Sequence, residues 1–64
     1  MFIALNKKSL IARVYDDNAE YDENTIVTTT QHIKIINETM IAFRGVEFYV
    51  SRELRHEIFM TQNA

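Results

Sequence analysis

The chain of 64 residues has no cysteine, no proline, no tryptophan and one glycine, Gly45. Without cysteine, neither a disulfide framework nor a thiolate zinc site is open to it. Two histidines, His32 and His56, are too few for a structural metal site unless carboxylates help. Long apolar runs are missing too: nothing approaches the roughly 20 apolar residues of a membrane-spanning helix. The apolar start, Met1 to Leu5, is followed by its lysines rather than preceded by them, the reverse of a secretion signal. These absences lead us to expect a soluble, untargeted, cytoplasmic protein with no membrane contact. No nucleophile–base pair, metal-ligand cluster or phosphate-cradling loop is visible, so an enzyme is not expected and no cofactor is implied.

Hydrophobic residues make up 47% of the chain and charged residues 25%, the composition of a folded domain rather than a disordered one. Residues 1–64 are read as one domain. A domain this small buries only about 60% of the surface its unfolded chain exposes, which leaves it marginally stable. With disulfides and metals set aside, association is the remaining compensation, and a homodimer is expected. The formal net charge of −2 argues mildly against a generic nucleic-acid binder, which usually carries a basic face.

The pattern along the chain predicts a small α+β fold, a curved antiparallel sheet of about five short strands with one C-terminal helix. Phe2–Leu5, a turn at Asn6-Lys7-Lys8 and an alternating segment over 9–15 predict an N-terminal hairpin. In that segment Leu10, Ala12 and Val14 would share a face. Thr25 to Ile36 is crowded with β-branched residues and predicts a strand. Gly45 can supply the positive φ of a tight hairpin between strands at about 39–43 and 46–50. In the last of these, Val46, Phe48 and Val50 point one way and Tyr49 outward. An alternative stays open for residues 29–44. Thr28 and Gln31 have capping-box spacing, and Ile33, Ile36, Met40 and Phe43 fall on one helical stripe. Ser51 is a good N-cap, and Leu54 and Ile58 would form the buried face of a terminal helix of two to three turns. Residues 61–64 are expected to fray.

The most distinctive segment is Asp16 to Asn24, DDNAEYDEN, which holds five of the nine acidic residues. Alternating oxygen side chains at Asp16, Asn18, Glu20 and Asp22 suggest a calcium loop. However, Tyr21 stands where such a loop needs glycine, and Val27 where it needs glutamate. The stronger reading is an acidic surface for a larger protein with a basic face, because complementary charge steers association. Candidate contact residues are Tyr15, Asp16, Asp17, Glu20, Tyr21, Asp22 and Glu23, with Tyr49 extending the contact. Tyrosine is enriched where interfaces are most tightly anchored. Phe48 and Phe59 are further interface candidates. The expected activity is that of a protein-binding module, an inhibitor or adaptor. Small stand-alone proteins of this kind often come from phages or mobile elements.

Two other classes compete. One is a dimeric RNA- or DNA-binding regulator using Lys7, Lys8, Arg44, Arg52 and Arg55, with Phe48 or Tyr49 as a stacking surface. The run Val46-Glu47-Phe48-Tyr49-Val50-Ser51-Arg52-Glu53-Leu54, strand into helix, resembles the C-terminal part of the carbon-storage-regulator family of RNA-binding proteins. The apolar start followed by Lys7-Lys8 is similar to that family's first strand. The resemblance implies a β-rich dimer and assigns RNA contact to Arg52. Ser51 stands where that family has histidine, and the acidic loop is an insertion relative to it. The remaining class is a structural subunit of a larger assembly.

Overall fold

A computed structural model describes all 64 residues. Six strands and one helix follow each other: β1 Phe2–Asn6, β2 Ala12–Val14, β3 Thr25–Thr29, β4 Lys34–Ile35, β5 Met40–Phe43, β6 Val46–Tyr49 and α1 Arg52–Gln62. They form two three-stranded antiparallel sheets, ordered β2-β1-β3 and β4-β5-β6. The expected α+β class is what the chain adopts.

The sheets bury one face each. Ile3 and Leu5 of β1, with Ala12, pack against Ile41, Phe43 and Phe48 of the second sheet, and Ile33, Val50, Leu54 and Ile58 complete the cluster. Period-two alternation explains why Ile3 and Leu5 point inward while Ala4 points to the opposite face. The sheets also touch along one edge. Ile11 and Tyr49 form a parallel bridge, and the Tyr49 N–H donates to the Leu10 carbonyl at 2.7 Å.

The β5–β6 hairpin turns on Arg44 and Gly45, with φ of +50° and +81°. Positive φ at both central residues is what a two-residue turn needs to match strand twist. The N-terminal hairpin also forms, but its second strand is shorter than the expected 9–15. Leu10 takes φ +59° and lies in the turn. Asn6 explains this: its side-chain oxygen accepts from the Lys8 and Ser9 N–H groups, both at 2.8 Å, and its carbonyl accepts from Leu10. Ala12 is buried but Val14 stays exposed at the sheet edge, so the expected apolar face shrinks to Ala12. Val46 is likewise exposed, because it sits at the hairpin tip.

Three expectations are corrected. Thr25 to Ile36 is not one strand: a 3-10 turn at Thr30–His32 breaks it and sends the chain from the first sheet to the second. The helical alternative for 29–44 fails as well, because Met40–Phe43 pairs residue by residue with Val46–Tyr49. The C-terminal helix begins as expected, with Ser51 Oγ accepting from the Leu54 N–H at 3.1 Å and Leu54 and Ile58 buried. It does not end at 60. It runs to Gln62, whose Nε2 donates to the carbonyls of Thr30 at 2.8 Å and Ile33 at 2.6 Å. One side chain thus satisfies both ends of the turn that breaks the strand.

Replacing Gln62 with Ala leaves the part-buried Ile33 carbonyl without a donor and the Thr30 carbonyl with only the Ile33 N–H at 3.2 Å. We expect a loss of about 1–3 kcal/mol in urea unfolding, with helical circular dichroism retained. Unchanged stability would mean that the clamp is not what holds the turn.

Candidate functional site: an acidic strap across the first sheet

Strand β1 is antiparallel to both of its neighbours. Strands β2 and β3 are therefore parallel to each other, with β1 between them. β2 ends beside Ile3, whereas β3 begins beside Asn6. The connection must travel back along the sheet and across β1. The core fills one face, so the connection takes the other. This connection is the acidic segment, and it acts as a strap. Its cover shows at Ala4, which faces away from the core and is nevertheless only 6% exposed.

The strap is ordered by its own polar groups. Asp16 Oδ1 accepts from the Asn18 N–H and Asp22 Oδ1 from the Asn24 N–H, both at 2.9 Å. These are the local turns that aspartate favours. The ring of Tyr21 stacks on Tyr15, with centroids 5.4 Å apart and planes 19° from parallel, and Phe2 meets Tyr15 edge-on at 6.4 Å. Tyr21 Oη accepts from the Asp16 N–H at 2.7 Å. The two tyrosines therefore clasp the strap to the sheet. Tyr21 keeps an exposed edge, while Tyr15 is partly covered.

Between strap and sheet lies a groove of about 760 Å³. Its apolar wall includes Ala4, Ile11, Val14 and Tyr21, and its polar wall includes Arg13, Asp16, Glu20 and Asp22. Asp17 and Glu23 are exposed on the strap outside it. Tyr49, 60% exposed, does not line the groove but is paired through its backbone with Ile11, which does. Tyr15 borders the strap through the stack rather than lining the groove. Sequence reading overlooked Ile11, Arg13 and Ala4. The topology that places the strap over them is set by strand order, which no local pattern encodes. Phe48 is buried and drops out as an interface candidate, while Phe59 and Met60 are exposed on the helix.

The five basic candidates are not gathered. Lys7 and Lys8 lie in the β1–β2 turn, Arg44 at the β5–β6 tip, and Arg52 and Arg55 on the helix. Arg44 lines a second groove, of about 640 Å³, with His32, Lys34 and Glu47, which none of the other four lines. Arg52 pairs with Glu38 at 3.6 Å in an exposed contact. No three acidic or histidine side chains converge as a group of metal ligands. No helix is long and apolar enough to cross a membrane.

No family model matches the chain, and neither a curated protein nor a solved structure is significantly similar to it. The likeness of Val46–Leu54 to the carbon-storage regulators thus remains local.

Replacing Tyr21 with Ala removes both the stack and the acceptor for Asp16. An aromatic pair contributes about 0.5–1.5 kcal/mol beyond burial, so we expect faster amide exchange across 16–24 with a small change in global stability. Exchange confined to its original rate would show that the clasp is dispensable.

Proposed function

We propose that this chain is a non-enzymatic protein-binding module, an inhibitor or adaptor that docks the acidic strap on a basic surface of a larger protein. One observation carries the reading. The five strap carboxylates make no intramolecular ion pair; the single pair in the molecule joins Arg52 to Glu38. Even Arg13, which shares the groove, pairs with none of them. Uncompensated charge of one sign on one ordered loop produces a field that speeds encounter with a basic partner and rejects acidic ones. The exposed parts of Tyr21, Ile11 and Tyr49 add apolar contact beside that charge. Charge steers and apolar area holds, the division of labour common at interfaces.

A second reading has one supporting observation. His32, Lys34 and Arg44 line a groove with Glu47 as its only carboxylate, an arrangement compatible with contact to a nucleic-acid phosphate.

Affinity capture with and without nuclease separates the two readings. A protein retained after nuclease supports the first, and nucleic acid with nuclease-sensitive proteins supports the second. Against the captured protein, the variant Asp16→Asn, Asp17→Asn, Asp22→Asn, Glu23→Gln should associate about tenfold more slowly at low salt, with a flatter salt dependence. Asparagine retains the Oδ1 acceptor of the two turns, so the strap keeps its shape. An unchanged association rate would refute docking through the strap.

A further inference from the structure

Two β-sheets in one small chain present four outer edges, and the chain protects three of them. The edges of β2 and β6 meet at a single bridge, Ile11 with Tyr49, where the Tyr49 N–H donates to Leu10; beyond it β2 is only three residues long and includes Arg13, and β6 carries Glu47. Strand β4 is two residues long and carries the exposed Lys34. Short length and lysine are the usual devices that keep a sheet edge from recruiting another strand. The fourth edge, β3, has none of them. It is five residues long, Thr25-Ile26-Val27-Thr28-Thr29, every one β-branched and uncharged.

The backbone pattern shows which groups that edge offers. Tyr15 N–H donates to the Phe2 carbonyl, and Asn6 N–H to the Ile11 carbonyl. Phe2, Ala4 and Asn6 therefore bond towards β2. By antiparallel alternation Ile3 and Leu5 bond towards β3, where they face Thr28 and Ile26. The backbone groups of Thr25, Val27 and Thr29 then point away from the sheet. The Thr25 N–H is taken by the Asp22 carbonyl at 3.2 Å, which leaves Val27, the Thr29 N–H and the Thr25 carbonyl open. β3 pairs with β1 alone, so no strand of the same chain closes this edge; beside Ile26, Val27 and Thr28 lies a cavity of about 260 Å³ whose other wall is His32, Phe43 and Arg44.

We propose that β3 pairs antiparallel with β3 of a second copy about a two-fold axis at Val27. The open groups are self-complementary in that register. Each Val27 exchanges both of its bonds with the other Val27, and each Thr29 N–H meets the opposite Thr25 carbonyl. Val27, 45% exposed on the outer face, gains a β-branched cross-strand neighbour. The strand itself carries no charge, so the paired residues meet without like-charge repulsion; the nearest cation along the edge is Arg44, across the adjoining cavity. The product is one six-stranded sheet across two copies. A two-fold axis perpendicular to that sheet places both acidic straps on the same face.

Sedimentation over a concentration series tests this together with hydrogen exchange on the intact chain. The wild type is expected at twice the 7.6 kDa chain mass, with the Val27 and Thr29 amides protected more strongly as concentration rises. Val27→Lys places like charges opposite each other at the axis. It is expected to weaken the dimer about tenfold or more while leaving the folded circular dichroism unchanged, because the side chain lies outside the core. A wild type that stays monomeric overturns the proposal. So does a dimer whose Val27 and Thr29 amides exchange freely, or one that Val27→Lys leaves intact. None of these readouts depends on the strap's partner, so this proposal and strap docking fail separately.

Discussion

A strand with an antiparallel neighbour on each side forces those neighbours to run parallel. The chain between them must then cross the sheet. Most features of this molecule's outer surface follow from that constraint. β1 is the central strand, so the ten residues between β2 and β3 have to cross one of its faces. The core occupies the other. A segment with five carboxylates can cross a sheet only where its charges stay in water, because burying unpaired charge is very costly. The strap meets both demands. It turns its tyrosines and Ala19 towards the sheet region and leaves Asp17 and Glu23 exposed.

The same economy governs how the sheets are joined. The 3-10 turn at Thr30–His32 redirects the chain from one sheet to the other, and Gln62 at the far end of the helix donates to the carbonyl of Thr30 at its start and of Ile33 just after it. The helix adds Leu54 and Ile58 to the core and holds the turn between the sheets. Packing and hydrogen bonding thus act on the same element. In so small a core, such coupling matters because every buried group is a large share of the total.

Much of this was legible in the sequence. The helix start at Ser51, the hairpin at Arg44-Gly45, the N-terminal hairpin and the acidic loop all rest on local chemistry: a capping hydroxyl, a glycine, a turn-forming asparagine, a run of charge. The break at Thr30–His32 was not legible. It contains neither glycine nor proline, and its stabilising partner lies about thirty residues away. The shortening of β2 was hidden because leucine at position 10 gives no hint of positive φ. At the candidate site, the carboxylates were visible as composition, but the groove was not. Ala4, Ile11 and Arg13 become part of it only when strand order lays the strap over them. The composition marks Tyr15 and Tyr21 as contact residues, and their first role in the structure is to grip each other.

That grip has an optical side. With no tryptophan, the near-ultraviolet spectrum of this protein belongs to three tyrosines and four phenylalanines. Two of those tyrosines stand face to face in the clasp, outside the core cluster. Their signal is therefore a gauge of the strap, whereas far-ultraviolet signal gauges the sheets and helix. If the strap lifts before the core melts, the two wavelengths trace different curves with no folding intermediate in the core. The stacked pair makes two of the three tyrosines a latch sensor, with Tyr49 adding a signal from the second sheet, so a tyrosine midpoint that precedes the far-ultraviolet one dates the opening of the latch rather than the unfolding of the domain.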